Sequence, residues 1–257
     1  MKVTNKTALV TGASRGIGKA IALELARQGA SCILILARNP QALEEVASQI
    51  QVYGVRAVPI VADLTEVENL SIAISQAWRD YGPIHLLVNC AGIAHQSPFL
   101  QSHPKKVREE IGVNLVGLYT VTHTIAKRMA SHRNGVIVNV SSLMGKLAAP
   151  TMSTYSATKF AILGLTQALR GELARHNVRV LALLPSLTDT DMVREMQLFR
   201  WVNRTTPEQV ARALVKGLAT ESPEIYVDWQ GYLAAIAHRI LPRLMEKFIL
   251  MAAPQPI

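Results

Sequence analysis

Residues 7–18 read TALVTGASRGIG, and this stretch decides the fold. Thr7 to Val10 is a short apolar run that reads as a buried strand, and Gly16 opens a segment of helical period. Gly12, Gly16 and Gly18 fall on the turn between them. Gly12 permits a tight turn after the strand, Gly16 lets the backbone approach phosphates closely, and Gly18 lets the helix lie against the sheet. Ser14, Arg15 and Ile17 complete a loop whose amides, with the helix dipole, suit a pyrophosphate. The GxxxGxG spacing alone also fits a tight turn with no ligand.

The same alternation repeats along the chain. Apolar runs at Thr7–Val10, Ser31–Leu36, Arg56–Val61, Ile84–Asn89, Gly135–Val140, Arg179–Leu184 and Glu224–Val227 read as seven strands. Helical periods fill the gaps at Gly16–Gln28, Gln41–Tyr53, Glu66–Tyr81, Lys105–Ser131, Thr154–Arg175 and Pro207–Thr220, with Pro40 and Thr206-Pro207 as start signals and Gly29 as a stop. Strands that alternate with helices predict an α/β fold of Rossmann type: a doubly wound, parallel, seven-stranded sheet with helices on both faces. Residues 1–228 are expected to form this cofactor-binding and catalytic domain. Residues 229–257 are expected to form an amphipathic helical extension packed on it.

Composition narrows the function. The 257 residues are 49% hydrophobic and 18% charged, which indicates a folded chain rather than a disordered one. A net charge of +9 favours anionic partners, a phosphorylated cofactor among them. With 5% aromatic residues and no basic run interleaved with them, no nucleic-acid platform is expected. Cys32 and Cys90 both lie in apolar runs, unsuited to a disulfide framework, and Met1 to Lys6 lacks a secretory h-region, so a cytoplasmic setting is expected. The seven histidines form no cluster at metal spacing, so no metal is assigned.

The end of the second strand selects the cofactor. An NAD enzyme places a carboxylate there for the ribose 2′-hydroxyl, but the chain reads Leu36-Ala37-Arg38-Asn39. Arg38, helped by Arg15, offers planar charge-assisted bonds to the 2′-phosphate of NADP(H). Asp63 and Leu64 after the third strand, and Asn89, Ala91 and Gly92 after the fourth, also lie at carboxyl ends of strands, where such sheets bind ligands. Asp63 suits either adenine or the start of the next helix.

Tyr155 and Lys159 are four residues apart in a predicted helix and share a face, with Ser142 upstream at the end of the fifth strand. TGASRGIG, NCAG, Asn114, VNVSS, YSATK and Pro185, in this order, resemble the short-chain dehydrogenase/reductase family. The resemblance covers the chain to about Val227. It implies Ser142 as oxyanion partner, Tyr155 as acid or base, Lys159 as electrostatic helper gripping the nicotinamide ribose, and Asn114 as support for a relay water. It also implies nicotinamide contacts from Pro185, Thr188 and Thr190, and a homodimer or homotetramer seamed by the helices Lys105–Ser131 and Thr154–Arg175. A lysine ammonium beside the phenol is expected to draw its pKa toward neutrality. Two departures stand out: Cys90 replaces the second Asn of the usual Asn-Asn-Ala-Gly, and Ser186 replaces the glycine after Pro185.

Loops at Ile93–Gln101, Leu143–Met152 and Leu187–Trp201 are expected to wall an apolar substrate site suited to a lipophilic ketone or aldehyde. His95 lies among them as a substrate contact or a solvated side chain. Beyond Val227 the family pattern ends. Trp229, Leu233, Ile236, Ile240, Leu244, Phe248 and Met251 recur at steps of three and four, with Arg239, Arg243 and Lys247 on another face and Pro242 as a kink. This helix is read either as cover for the core, pocket or partner subunit, or as a peripheral membrane contact. A catalytically idle NADP(H)-binding protein and a membrane-attached interaction protein are the alternatives to an NADP(H)-dependent carbonyl reductase. Arg38→Asp should lower the preference for NADPH over NADH by about 10- to 100-fold in kcat/KM, and an unchanged ratio would remove Arg38 from cofactor choice.

Overall fold

Seven parallel strands, β1 (Thr7–Thr11), β2 (Cys32–Ala37), β3 (Arg56–Val61), β4 (Leu86–Asn89), β5 (Gly135–Val140), β6 (Val178–Leu184) and β7 (Glu224–Tyr226), form one sheet in the order β3-β2-β1-β4-β5-β6-β7. The computed structural model describes residues 1–194, 196–220 and 222–254. Glu195 in the expected substrate wall, and residues 255–257 of the expected extension, lie outside them. The strand order reverses direction between β1 and β4, which opens a crevice at their carboxyl ends.

Alternation along each strand divides the core into two layers. Val10, Ile33, Ile35 and Val88 face α1 (Gly16–Arg27), α2 (Pro40–Gln51) and α8 (Pro207–Ala219), the last preceded by the short α7 (Asp191–Arg194). Leu9, Leu34, Leu36 and Leu87 face α3 (Val67–Tyr81) and α5 (Leu118–His132). Successive side chains of a strand point to opposite faces, so an unbroken apolar run is what a sheet covered on both sides requires. β3 is an edge strand, half exposed, and tolerates Pro59 because one side of its ladder has no partner.

The single helix expected over Lys105–Ser131 is three pieces: α4 (Pro104–Ile111), a π turn at Gly112–Gly117, and α5. The π turn widens the helix by one residue inside an otherwise helical stretch, which a reading by period alone runs together as one helix. Gly117 sits where a Cβ would come within 2.6 Å of Leu64, so the turn packs directly on the loop after β3. The C-terminal helix is likewise two helices, α9 (Trp229–Ile240) and α10 (Pro242–Ala252), separated at Leu241. The expected kink within one helix is therefore a break between two, and Pro242 takes the first position of α10, where its missing N–H costs nothing.

A buried polar chain pins helices to the sheet. The Asn89 amide donates to Thr122 Oγ1 and to Asn139 Oδ1, both at 2.8 Å, and the Asn139 amide donates to Thr166 Oγ1 at 2.9 Å. The chain links α5, β4, β5 and α6 (Ser153–Ala174) directly below the carboxyl edge. Asn139→Ala leaves both neighbours short of a partner and should cost about 2–4 kcal/mol in urea unfolding, while an unshifted midpoint would show that the chain adds no stability.

Candidate active site

The crevice at the carboxyl edge continues into a cavity of about 920 Å³. One end is lined by Gly12, Ser14, Arg15, Gly16, Ile17, Gly18, Arg38, Asp63 and Leu64, the floor by Ala91, Gly92, Ser142, Tyr155 and Lys159, and the far end by apolar side chains. The glycine turn is tight and strained toward this cleft. Gly12 has φ +68°, and a Cβ there would lie 2.6 Å from Ala91 Cα; at Gly18 a Cβ would lie 2.2 Å from the Gly12 carbonyl oxygen. Gly16, at φ +55°, faces Thr190 across the cleft, and a Cβ there would approach it to 3.4 Å. Arg15, the residue before α1, is extended and offers no side-chain cap, so the first helical amides face the crevice without an internal partner.

Both arginines are exposed and only loosely engaged. Arg15 is 3.7 Å from Asp191 and Arg38 is 3.7 Å from Asp63, long for charge-assisted bonds. A glycine cradle, helix amides and two available guanidinium groups fit a dinucleotide that carries a 2′-phosphate. Asp63 spends Oδ1 on the Thr65 amide at 2.9 Å and the Thr65 hydroxyl at 2.8 Å, a local turn leading into α3. Burial pushes its carboxyl up, but the Thr65 bonds and Arg38 outweigh that and hold it below the usual carboxylate range.

The reacting end is built on β5 and α6. Lys159 is buried, and its ammonium donates to the Val140 carbonyl at 3.1 Å, where β5 ends. Ser141 donates to the Lys159 carbonyl at 2.9 Å, so strand and helix hold each other in both directions. One turn earlier on the same helix face stands Tyr155, its ring centroid 5.4 Å from the ammonium. Ser142, extended beyond β5, accepts from the Met144 amide at 3.1 Å, which starts a short 3₁₀ turn and holds the hydroxyl at the cleft.

The electrostatics differ from a phenol drawn toward neutrality. Burial pushes the Tyr155 phenol up to about 12, with the Ser142 hydroxyl opposing the rise. Burial likewise pulls the Lys159 ammonium down to about 8. The phenol is therefore protonated at neutral pH, and the ammonium is the group that titrates nearby. The Cys90 thiol beside them is also raised by burial, to about 12, so it is a poor nucleophile.

Two expected site residues work from behind the cleft. Asn89 is buried and does not line it, because its amide is spent on Thr122 and Asn139. Asn114 is fully buried in the π turn, accepts from the Ile93 amide at 2.8 Å and donates to the Ile93 carbonyl at 2.9 Å and to Thr158 at 3.2 Å. Its side chain positions the 91–94 loop. Pro185, Thr188 and Thr190 all line the cleft; Thr188 directs its hydroxyl to the Ser186 carbonyl and Thr205, each at 3.1 Å, and Thr190 stands over Gly16. His95 points to Glu109 at 3.3 Å and does not line the cavity. Thr11, not singled out from sequence, accepts from the Cys90 and Ala91 amides at 3.1 and 3.2 Å and fixes the opposite wall.

The apolar end includes Leu143, Met144, Leu147, Met152, Met192, Met196, Phe199 and Trp201 from the expected loops. Its roof is α9 and α10, through Gly231, Ala234, Ala237, Met245, Ile249 and Ala252. The small residues at 231, 234 and 237 are the signal in the sequence, since a three-residue stripe without bulk leaves room beneath a helix. Ser186 explains one departure from the family pattern: its hydroxyl donates to Asp228 Oδ2, while Asp228 Oδ1 caps α9 by accepting from the Gly231 amide at 2.7 Å. The loop after β6 is thus tied to the roof.

A parallel sheet with a glycine cradle at its crossover, and a serine, tyrosine and lysine at the same edge, defines a dinucleotide-dependent oxidoreductase. The short chain dehydrogenase model matches residues 6–200, and the chain belongs to that family. A 3-oxoacyl-[acyl-carrier-protein] reductase of Synechocystis sp. is 31% identical over 236 residues, covering 90% of this chain and 95% of that protein. A short chain dehydrogenase of Burkholderia cenocepacia J2315, solved in complex with NADP, superposes with a TM-score of 0.86 at 30% identity, covering 99% of this chain and 100% of that one. One from Sphingobium yanoikuyae, solved with NADPH, gives a TM-score of 0.81 at 26% identity and covers 98% of both chains.

Titration of Lys159 sets a pH dependence. The ammonium is lost as pH rises through about 8, so reductive kcat/KM for NADPH, which reports groups of the free enzyme, should be level below that value and fall above it. A flat profile across the range from neutral to strongly alkaline pH would show that the Lys159 charge is not required.

Proposed function

We propose that the chain is an NADP(H)-dependent reductase of a lipophilic ketone or aldehyde, working through Ser142, Tyr155 and Lys159. The observation that carries this reading is the placement of the Tyr155 phenol and Lys159 ammonium at the junction of a dinucleotide-shaped cleft and an apolar cavity. Bound NADPH would supply the hydride to the carbonyl carbon.

The protein's residues handle the oxygen. Ser142 donates a hydrogen bond to the carbonyl oxygen as negative charge grows on it. Tyr155, protonated at neutral pH, delivers the proton that completes the alcohol. Lys159 stabilises the resulting phenolate with its positive charge at short range in a site shielded from water. The reverse sequence oxidises an alcohol, with Tyr155 as base. Arg15 and Arg38 favour the 2′-phosphate, and the walls of methionine, leucine and aromatic side chains favour an apolar substrate over a sugar.

Association through α5 and α6 fits the same reading. Val116, Tyr119 and Phe160 are large apolar side chains exposed on or beside those helices, apart from the cleft. They suit the homodimer or homotetramer that the family resemblance implies.

Tyr155→Phe keeps the ring and removes the proton. It should lower NADPH-dependent reduction of a ketone or aldehyde by about 100- to 10,000-fold while leaving NADPH binding, read by fluorescence, close to wild type. Appreciable turnover in the variant would defeat the proposed proton transfer. A wild-type protein that binds NADPH but reduces none of a panel of aldehydes, ketosteroids, retinoids and 3-oxoacyl thioesters would favour the idle alternative.

A further inference from the structure

The outer surface of the roof is more apolar than cover for a cavity requires. On α9, Trp229, Tyr232, Ile236 and Ile240 are exposed at steps of three and four, and Ile240 is 68% exposed. On α10, Leu244, 61% exposed, and Met251, 64% exposed, add to it. None of these six lines the cavity, so they form an outward face beside the inward one. Each would gain from leaving water.

The same two helices carry basic residues: Arg239 on α9 and Arg243 and Lys247 on α10 are exposed. From Trp229 to Pro254 the sequence contains a single carboxylate, Glu246. No ion pair among the described residues engages the three cations. An apolar face flanked by lysine and arginine, with Trp and Tyr at one end, is the layout of a helix lying in a lipid interface.

The position of the cavity mouth gives this surface a consequence. Trp201, Leu233 and Phe248 both line the cavity and remain about half exposed, so they form its rim. The Trp201 and Phe248 rings are 5.7 Å apart, and the Arg200 amide donates to the Ala252 carbonyl at 2.8 Å, which ties the rim loop to α10. The opening is therefore rimmed by exposed apolar side chains of α9, α10 and the Leu187–Trp201 loop.

We propose that α9 and α10 dock on an anionic lipid bilayer, with the cavity mouth held at the lipid surface so that an apolar substrate enters from the membrane. Charge favours a bilayer over a second copy of the chain. In a two-fold contact the same patch meets itself, which would set Arg239, Arg243 and Lys247 against their own copies with one carboxylate to offset them. Anionic headgroups complement all three. No helix among the described residues is long and apolar enough to cross a membrane, so the contact is peripheral. Docking stands without the catalytic reading, whereas substrate entry from the bilayer rests on it.

The full chain is sedimented with vesicles of phosphatidylcholine alone or mixed with phosphatidylserine, at low and high salt, and its mass is followed by sedimentation velocity. Binding should require phosphatidylserine and weaken with salt. The triple variant R239Q/R243Q/K247Q should bind about 100-fold more weakly, and Ile240→Ser with Leu244→Ser at least about 10-fold more weakly. Neither variant alters a cavity residue, so both should keep the wild-type mass and reduce a water-soluble ketone normally. No binding to phosphatidylserine vesicles at low salt, or equal binding by the triple variant, overturns the proposal. A drop in oligomer mass in the Ile240→Ser with Leu244→Ser variant also overturns it and gives the face to a second copy. Because binding is read without catalysis, its failure is distinct from failure of the reductase reading.

Discussion

One buried ammonium holds the chemistry in place. Lys159 reaches from α6 to the last carbonyl of β5, and Ser141 returns a bond from the strand end to the helix. A charge in this position is costly to desolvate, as its lowered pKa of about 8 records. It is tolerated because the Val140 carbonyl faces it and because the cleft above admits charged or polar ligand groups. Ser142 and Tyr155 take their places from the same joint, one just after the strand and the other one turn earlier on the helix. The sheet, the polar chain through Asn89 and Asn139, and the π turn at Asn114 all converge on this point.

Much of this is legible in the sequence for physical reasons. A sheet covered on both faces needs unbroken apolar strands, so all seven are visible as short runs, including β3, where Pro59 still leaves an edge strand. The glycine turn is legible because its jobs are steric, and Gly12 and Gly18 sit against backbone that no Cβ could share. Tyr155 and Lys159 are legible because helix geometry alone puts them on one face. What depends on tertiary contact is hidden. Asn89 lies in a cleft-side motif yet spends its amide on Thr122 and Asn139, and Asn114 serves Ile93 from within the π turn at Gly112–Gly117. A lysine neighbour alone would bring the phenol toward neutrality, but burial raises the phenol and lowers the ammonium.

The C-terminal helix pair α9 and α10 extends beyond the residues that the family pattern covers. Its amphipathic period is plain in the sequence, and Pro242 marks the break, but which face meets the protein is not written there. Small residues on α9 roof the cavity, and Asp228 joins that roof to Ser186 on the loop after β6. A serine in place of a flexible glycine thus becomes a tie between the substrate roof and the cofactor loop.

The most direct measurement is single-turnover transfer of deuterium from C4-deuterated NADPH to a ketone, comparing wild type with Lys159→Met, which keeps an unbranched side chain and removes the charge. Deuterium is expected on the carbinol carbon of the wild-type product, with a rate at least about 100-fold lower in the variant at neutral pH. Comparable rates in the two proteins would contradict it, because a neutral side chain would then do the work assigned to the buried ammonium.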